Sequence, residues 1–254
     1  MRSSIATALI FLFGLASTFF ATARQANELD AVVPDIRSLD VSLTCLDHGA
    51  IEAVRKSGSV DALVPACEHE LRTVLGDDFG KIDQESLRVV LATVVAANFA
   101  DYGPSSAITF EDIKKSKYLN CGNTTFLVGY LFGTLNSKRI MSVGFDGGVV
   151  GNHAQLIYSG KHDTILLDPT TGLIAQTDFN DLLRGNPVRT NKIRSFSIKD
   201  KSINTFRQRV YLAVRDGEYD PSDFMFMHES LREQFDQGML SRYFSPGAIK
   251  ARNE

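Results

Sequence analysis

Apolar residues recur at intervals of three and four through residues 83–101: Leu87, Leu91, Val94, Val95 and the Asn98-Phe99 pair. That spacing lines one face of a helix, with Asp83 placed to cap its start. The pattern stops at Tyr102-Gly103-Pro104. Upstream, residues 40–75 read as two helices divided near Gly58-Ser59, and residues 76–80 as a break. Residues 24–39 are polar and mixed, with Pro34, and read as a loose leader. Downstream, residues 109–117 suit a short helix, with Thr109 as cap and Glu111-Asp112 in its first turn, where acidic side chains favour the helix dipole.

The patterning then changes. Residues 122–135 are apolar almost throughout and suit a buried helix. Residues 140–145, 153–159 and 164–168 read as strands, with turn signals at Asp146-Gly147-Gly148 and Gly160-Lys161-His162-Asp163. Residues 193–198 alternate and read as a further strand. Residues 202–214 fit a strand or a helix, and residues 222–242 read as helical, with a frayed tail after Pro246. Helices come first, then one buried helix, then a meander of antiparallel strands. This order predicts an α+β fold and not an alternating βαβ one.

The first residues carry an export pattern. Arg2 supplies a positive start, residues 5–20 are apolar, and Ala21-Thr22-Ala23 forms a small-x-small cleavage site. The rival is an uncleaved anchor. Sixteen apolar residues are short for a span, which needs about 20, and no later segment is apolar enough. The predicted organisation is a signal peptide at 1–23, a helical segment at 24–105, and a core with a C-terminal extension at 106–254, compact with 40–105. The expected location is secreted or periplasmic, with no membrane span after cleavage. Losing residues 1–23 removes one cation and no acid, so the net charge goes from −3 to −4. That acidity argues against a nucleic-acid partner. The chain is long enough for one sizeable core. Its aromatic content leans on 17 Phe, and it has no Trp.

Three cysteines leave one over in an oxidising compartment. The economical pairing is Cys45 with Cys67, leaving Cys121 reduced; the alternative is that Cys45 and Cys67 are buried thiols. Cys121 opens the apolar run of the buried helix, where the helix N-terminus favours a thiolate. Its own backbone N–H can stabilise an oxyanion, Gly122 lets a substrate backbone approach, and Asn120 is a candidate cap. Taken alone, a small buried thiol is an equal reading of Cys121. His153 starts one strand-like run and Asp168 ends the next. In an antiparallel hairpin with a two-residue loop, these two face each other. With a four-residue loop Asp168 faces Gln155, one pleat from His153 on the same face. An odd loop would separate them. Asp168 would then fix the imidazole tautomer while the free ring nitrogen takes the thiol proton. The plainer readings are a capping His153 and a turn-forming Asp168-Pro169. His48, His69, His162 and His228 read as ordinary surface residues.

On Cys121, the His153-Ala154 pair and Leu167-Asp168-Pro169-Thr170, the chain resembles the transglutaminase-like superfamily of papain-type cysteine acyltransferases and peptidases. The resemblance covers about residues 118–172. It implies a cysteine on a buried helix, a histidine on a strand and an aspartate ending the next strand, in an α+β core with an antiparallel sheet. The family often has Gly before the cysteine, where this chain has Asn120, and an aromatic residue where it has Gln155. Asn120, Gly122 and Gln155 are taken as candidate oxyanion or substrate-binding residues, and Asn120 or Tyr118 as candidates for the second oxyanion donor. The function this implies is cysteine-dependent acyl transfer on amide bonds of a peptide or protein, by hydrolysis or transamidation. The alternative is an inactive binding or scaffolding module of the same fold. Neither a cofactor nor a metal is implied, and the oligomeric state is left open. N-terminal sequencing of the exported product is expected to read from Arg24; a product still beginning at Met1 would establish the anchor instead.

Overall fold

The computed structural model describes residues 34–133, 140–145, 150–161, 164–178, 181, 184–218 and 224–225. Pro34 and Asp35 fall in one compact unit and the described residues from Ile36 onward in a second. The proposed signal peptide, His162, His228 and the 222–242 helix lie, wholly or for the most part, outside the described residues.

In the second unit the helices are α1 (His48–Ser57), α2 (Val64–Leu75), α3 (Gln84–Ala97), α4 (Phe110–Lys115), α5 (Cys121–Leu131) and α6 (Asn204–Asp216). The strands are β1 (Asp40–Val41), β2 (Asp101–Tyr102), β3 (Tyr118–Leu119), β4 (Ile140–Phe145), β5 (His153–Ser159), β6 (Thr164–Asp168), β7 (Leu173–Gln176), β8 (Ile193–Phe196) and β9 (Phe224–Met225). The fold is α+β, with a seven-stranded sheet in the order β1-β8-β7-β6-β5-β4-β9 and a parallel β2-β3 pair.

Local chemistry sets the helix starts. Asp83 caps α3 by accepting from the Ser86 N–H, as its position predicts. Thr109 and Asp112 form a reciprocal capping box at α4, and Asn120 and Asn123 form another at α5. Helix α3 ends at Ala97, four residues short of the expected Asp101, because the chain turns after the Asn98 cap into β2.

The sheet is buried on both faces. Leu156, Tyr158, Ile165, Leu167 and Ile174 join one core with the helices α1–α5. Ile157, Leu166, Leu173 and Ala175 join the other, with Ile36 and with Val210, Tyr211, Ala213 and Val214 of α6. Strands apolar on both sides lose the in–out alternation that marks a half-exposed strand. This is why β5 and β6 read in sequence as short continuous apolar runs.

Several expectations are corrected. The sheet is mixed, because β1 pairs parallel with β8 at its edge. β7 was not foreseen; it is four residues long and follows the Asp168 turn at once. The ambiguous 202–214 segment is mostly the helix α6. Residues 36–39 are not loose: Ile36 is fully buried, and its N–H donates to Gln208 Oε1.

Cys45 and Cys67 form a disulfide with a Cα–Cα distance of 5.4 Å, and Cys121 is free. The bridge ties the chain ahead of α1 to α2, and Glu70 reinforces it by accepting from the N–H groups of Thr44 and Cys45. Among the described residues, no helix is long and apolar enough to cross a membrane. Replacing Cys45 and Cys67 together by alanine is expected to lower the unfolding free energy by about 3 kcal/mol on the chain-entropy account. Denaturant unfolding checks this, and an unchanged midpoint would contradict it.

Candidate active site

The site is built where β5 begins, β6 ends and α5 begins. β5 and β6 pair antiparallel with Ser159 opposite Thr164 and Leu156 opposite Leu167, the register of a four-residue connection. Continued one step, this register brings Asp168 to Gln155, with His153 one pleat beyond on the same face. His153 Nε2 and Asp168 Oδ2 are 2.7 Å apart, and both side chains are fully buried.

Asp168 accepts from four groups. The Gln155 amide donates to Oδ2 at 2.9 Å, and the backbone N–H groups of Thr170 and Thr171 both donate to Oδ1 at 3.0 Å. An isolated buried carboxylate would take up a proton; one that accepts this many hydrogen bonds beside an imidazole stays ionised. Burial pushes the Asp168 pKa up, but His153, Gln155 and Thr171 outweigh it and hold it below the usual value.

The turn that supplies those N–H groups is itself fixed. Gly172 has φ +71°, and a Cβ there would lie 2.7 Å from the Phe196 carbonyl oxygen, so only glycine fits. Arg207, fully buried, donates from Nε to the Thr171 carbonyl at 2.8 Å. Its other nitrogens reach Asp40, Ser195 Oγ and the Phe196 carbonyl. The Thr170 and Thr124 hydroxyls meet at 3.0 Å, linking the Asp168 turn to the first turn of α5.

Cys121 stands at the first position of α5 and is half-buried. Burial raises its thiol pKa, but the hydrogen bond and charge of His153, with the Ala154 backbone N–H, more than reverse this, and the thiol lies below its ordinary value. Burial lowers the imidazole pKa of His153, yet the Asp168 charge and hydrogen bond, then Cys121, raise it to about 9. With Nε2 on Asp168, Nδ1 is the nitrogen left for the thiol. It is buried and makes no hydrogen bond of good geometry, so thiol and ring are within interaction range but not yet aligned. Hydrogen bonds of this kind often tighten only when substrate binds.

The sequence-predicted residues separate accordingly. Cys121, His153 and Asp168 come together. Gly122 lies half-buried in the same first turn as Cys121. Asn120 caps α5: its Oδ1 accepts from Asn123 N–H, and its Nδ2 donates to the Ser105 carbonyl. Gln155 is fully buried, and its amide donates to Asp168. Tyr118 is exposed.

One residue was missed. Tyr102 pairs in register with Leu119, two residues before Cys121. Its phenol pKa is raised by burial, then by the charges of Cys121 and Asp168. Its only sequence signal was an aromatic residue at the end of the α3 pattern. Among the described residues, no group of three or more His, Cys, Asp and Glu is placed to hold a metal ion. Comparison with models of known protein families, with curated proteins and with solved structures finds no match for this chain.

Because the imidazolium is favoured in the folded chain, His153 contributes stability that is fully present below 6.5 and is lost as pH rises through about 9. NMR titration is expected to place the His153 ring's titration near the upper value. In Asp168→Asn, where burial is no longer offset by a carboxylate, the midpoint is expected to fall below 6.5. A wild-type midpoint at or under 6.5 would contradict the pairing.

Proposed function

We propose that this chain is an exported, cysteine-dependent acyl-transfer enzyme with a transglutaminase-like core, acting on amide bonds of a peptide or protein. The observation that carries the proposal is the His153–Asp168 pair, fully buried with Nε2 and Oδ2 2.7 Å apart, at the start of the helix whose first residue is Cys121; the imidazole holds that thiol below its ordinary pKa. A thiol whose pKa a neighbouring imidazole lowers is an activated nucleophile with its base close by. The cysteine at the start of a buried helix, the histidine on a strand and the aspartate at the next strand's end are in keeping with the family resemblance.

In the proposed reaction the Cys121 sulfur attacks the amide carbonyl carbon, and its proton resides on His153. The C–S bond forms as the carbonyl π pair moves to oxygen. Collapse of the adduct expels the amine, which takes the proton from His153. The resulting thioester is then cleaved by water, giving hydrolysis, or by a second amine, giving transamidation. Asp168 keeps His153 oriented and its imidazolium stabilised throughout. Access of water to the thioester decides the acceptor.

Mass-spectrometric labelling with iodoacetamide at neutral pH tests this. Cys121 is expected to alkylate readily in the wild-type chain, and His153→Ala to slow alkylation on the order of tenfold or more by removing the charge that stabilises the thiolate. No labelling in either form would favour the inert binding module.

A further inference from the structure

Tyr102 is held beside β3, whose last residue lies two before Cys121. Its ring is half-buried and stacked on Phe206, with centroids 6.4 Å apart and planes 18° from parallel. Phe206 in turn sets its ring edge-to-face against His153 at 4.8 Å and 87°. The backbone is fixed as firmly. The Tyr102 N–H donates to Asp200 Oδ2 at 3.0 Å, and the next residue's N–H donates to the Leu119 carbonyl at 3.1 Å. Together with Thr124 and Thr170, which link α5 to the Asp168 turn, Tyr102 lines a narrow cleft. Its ring thus stands next to the strand that leads into Cys121 and, through Phe206, next to the His153 ring, and the Cys121 charge acts on its phenol.

We infer that Tyr102 is a catalytic residue of the proposed reaction, its phenol O–H donating to the substrate oxyanion in the tetrahedral adduct. The inference rests on the acyl-transfer reading. In the adduct the oxyanion and the sulfur are bonded to the same carbon, so a donor held beside the start of α5 and the His153–Phe206 pair is on hand for the oxyanion. The backbone N–H of Cys121, at the helix start, is the natural second donor. Tyr102 keeps its proton throughout. Burial and the neighbouring negative charges oppose ionisation of the phenol, which therefore acts as a donor and not as a base. Asn120 and Gln155 are already committed elsewhere, and Tyr102 fills the role they leave open.

Tyr102→Phe retains the ring and its stack on Phe206 and deletes only the hydroxyl. Two probes separate its roles in the full-length protein. Alkylation by iodoacetamide displaces iodide and develops no oxyanion; acylation by p-nitrophenyl acetate passes through one and releases p-nitrophenol. Tyr102→Phe is expected to lower the acylation rate on the order of 100-fold while changing alkylation less than about threefold. An equal fall in both rates would mean that the tyrosine merely supports the site. Unchanged or faster acylation would remove the assignment while leaving the Cys121–His153 reading intact. A wild-type chain that alkylates no faster than His153→Ala would remove the reading itself, and this inference with it.

Discussion

Asp168 is a carboxylate with no exposed surface, and the rest of the site is arranged to keep it ionised there. Leaving such a charge unpaired costs several kcal/mol, so each of its four donors is under energetic constraint. His153 and Gln155 are set by the pleat of β5, and the Thr170 and Thr171 amides by a turn that closes on Gly172. Arg207 holds the Thr171 carbonyl from behind while pairing with Asp40 of the edge strand β1. The buried charge thus ties together the sheet, the turn, α6 and the N-terminal edge of the described fold, and the same charge raises the His153 pKa. Folding energy and chemical competence come from one interaction.

Much of this was legible in the sequence because it is local. Asp83, Thr109 and Asn120 announce their helices through capping chemistry that needs only three or four residues. The same-face relation of His153 and Asp168 follows from the parity of one short connection. The Cys45–Cys67 bridge follows from an odd cysteine count and sequence proximity.

What was not legible is long-range or doubly buried. Arg207 and Asp40 are 167 residues apart in sequence, and nothing near either one indicates the other. β7 lacks alternation because it is covered on both faces, and at four residues it is too short for composition to identify. Gln155 was taken as a candidate substrate-binding residue; the register in which it faces Asp168 was one of the two even-loop alternatives, and its amide donates to the carboxylate. Tyr102 comes beside the start of α5 because β2 pairs with β3, across 15 intervening residues that include α4, a pairing that no local pattern encodes.

The central claim is that the folded chain holds Cys121 and His153 as a thiolate–imidazolium pair over a range of pH where the isolated groups would not. Ultraviolet absorbance of the thiolate, followed against pH and referenced to Cys121→Ser, measures this directly. A Cys121 transition below the ordinary thiol value that moves upward in His153→Ala is the predicted result. A transition at or above the ordinary thiol value, indifferent to His153, would contradict it.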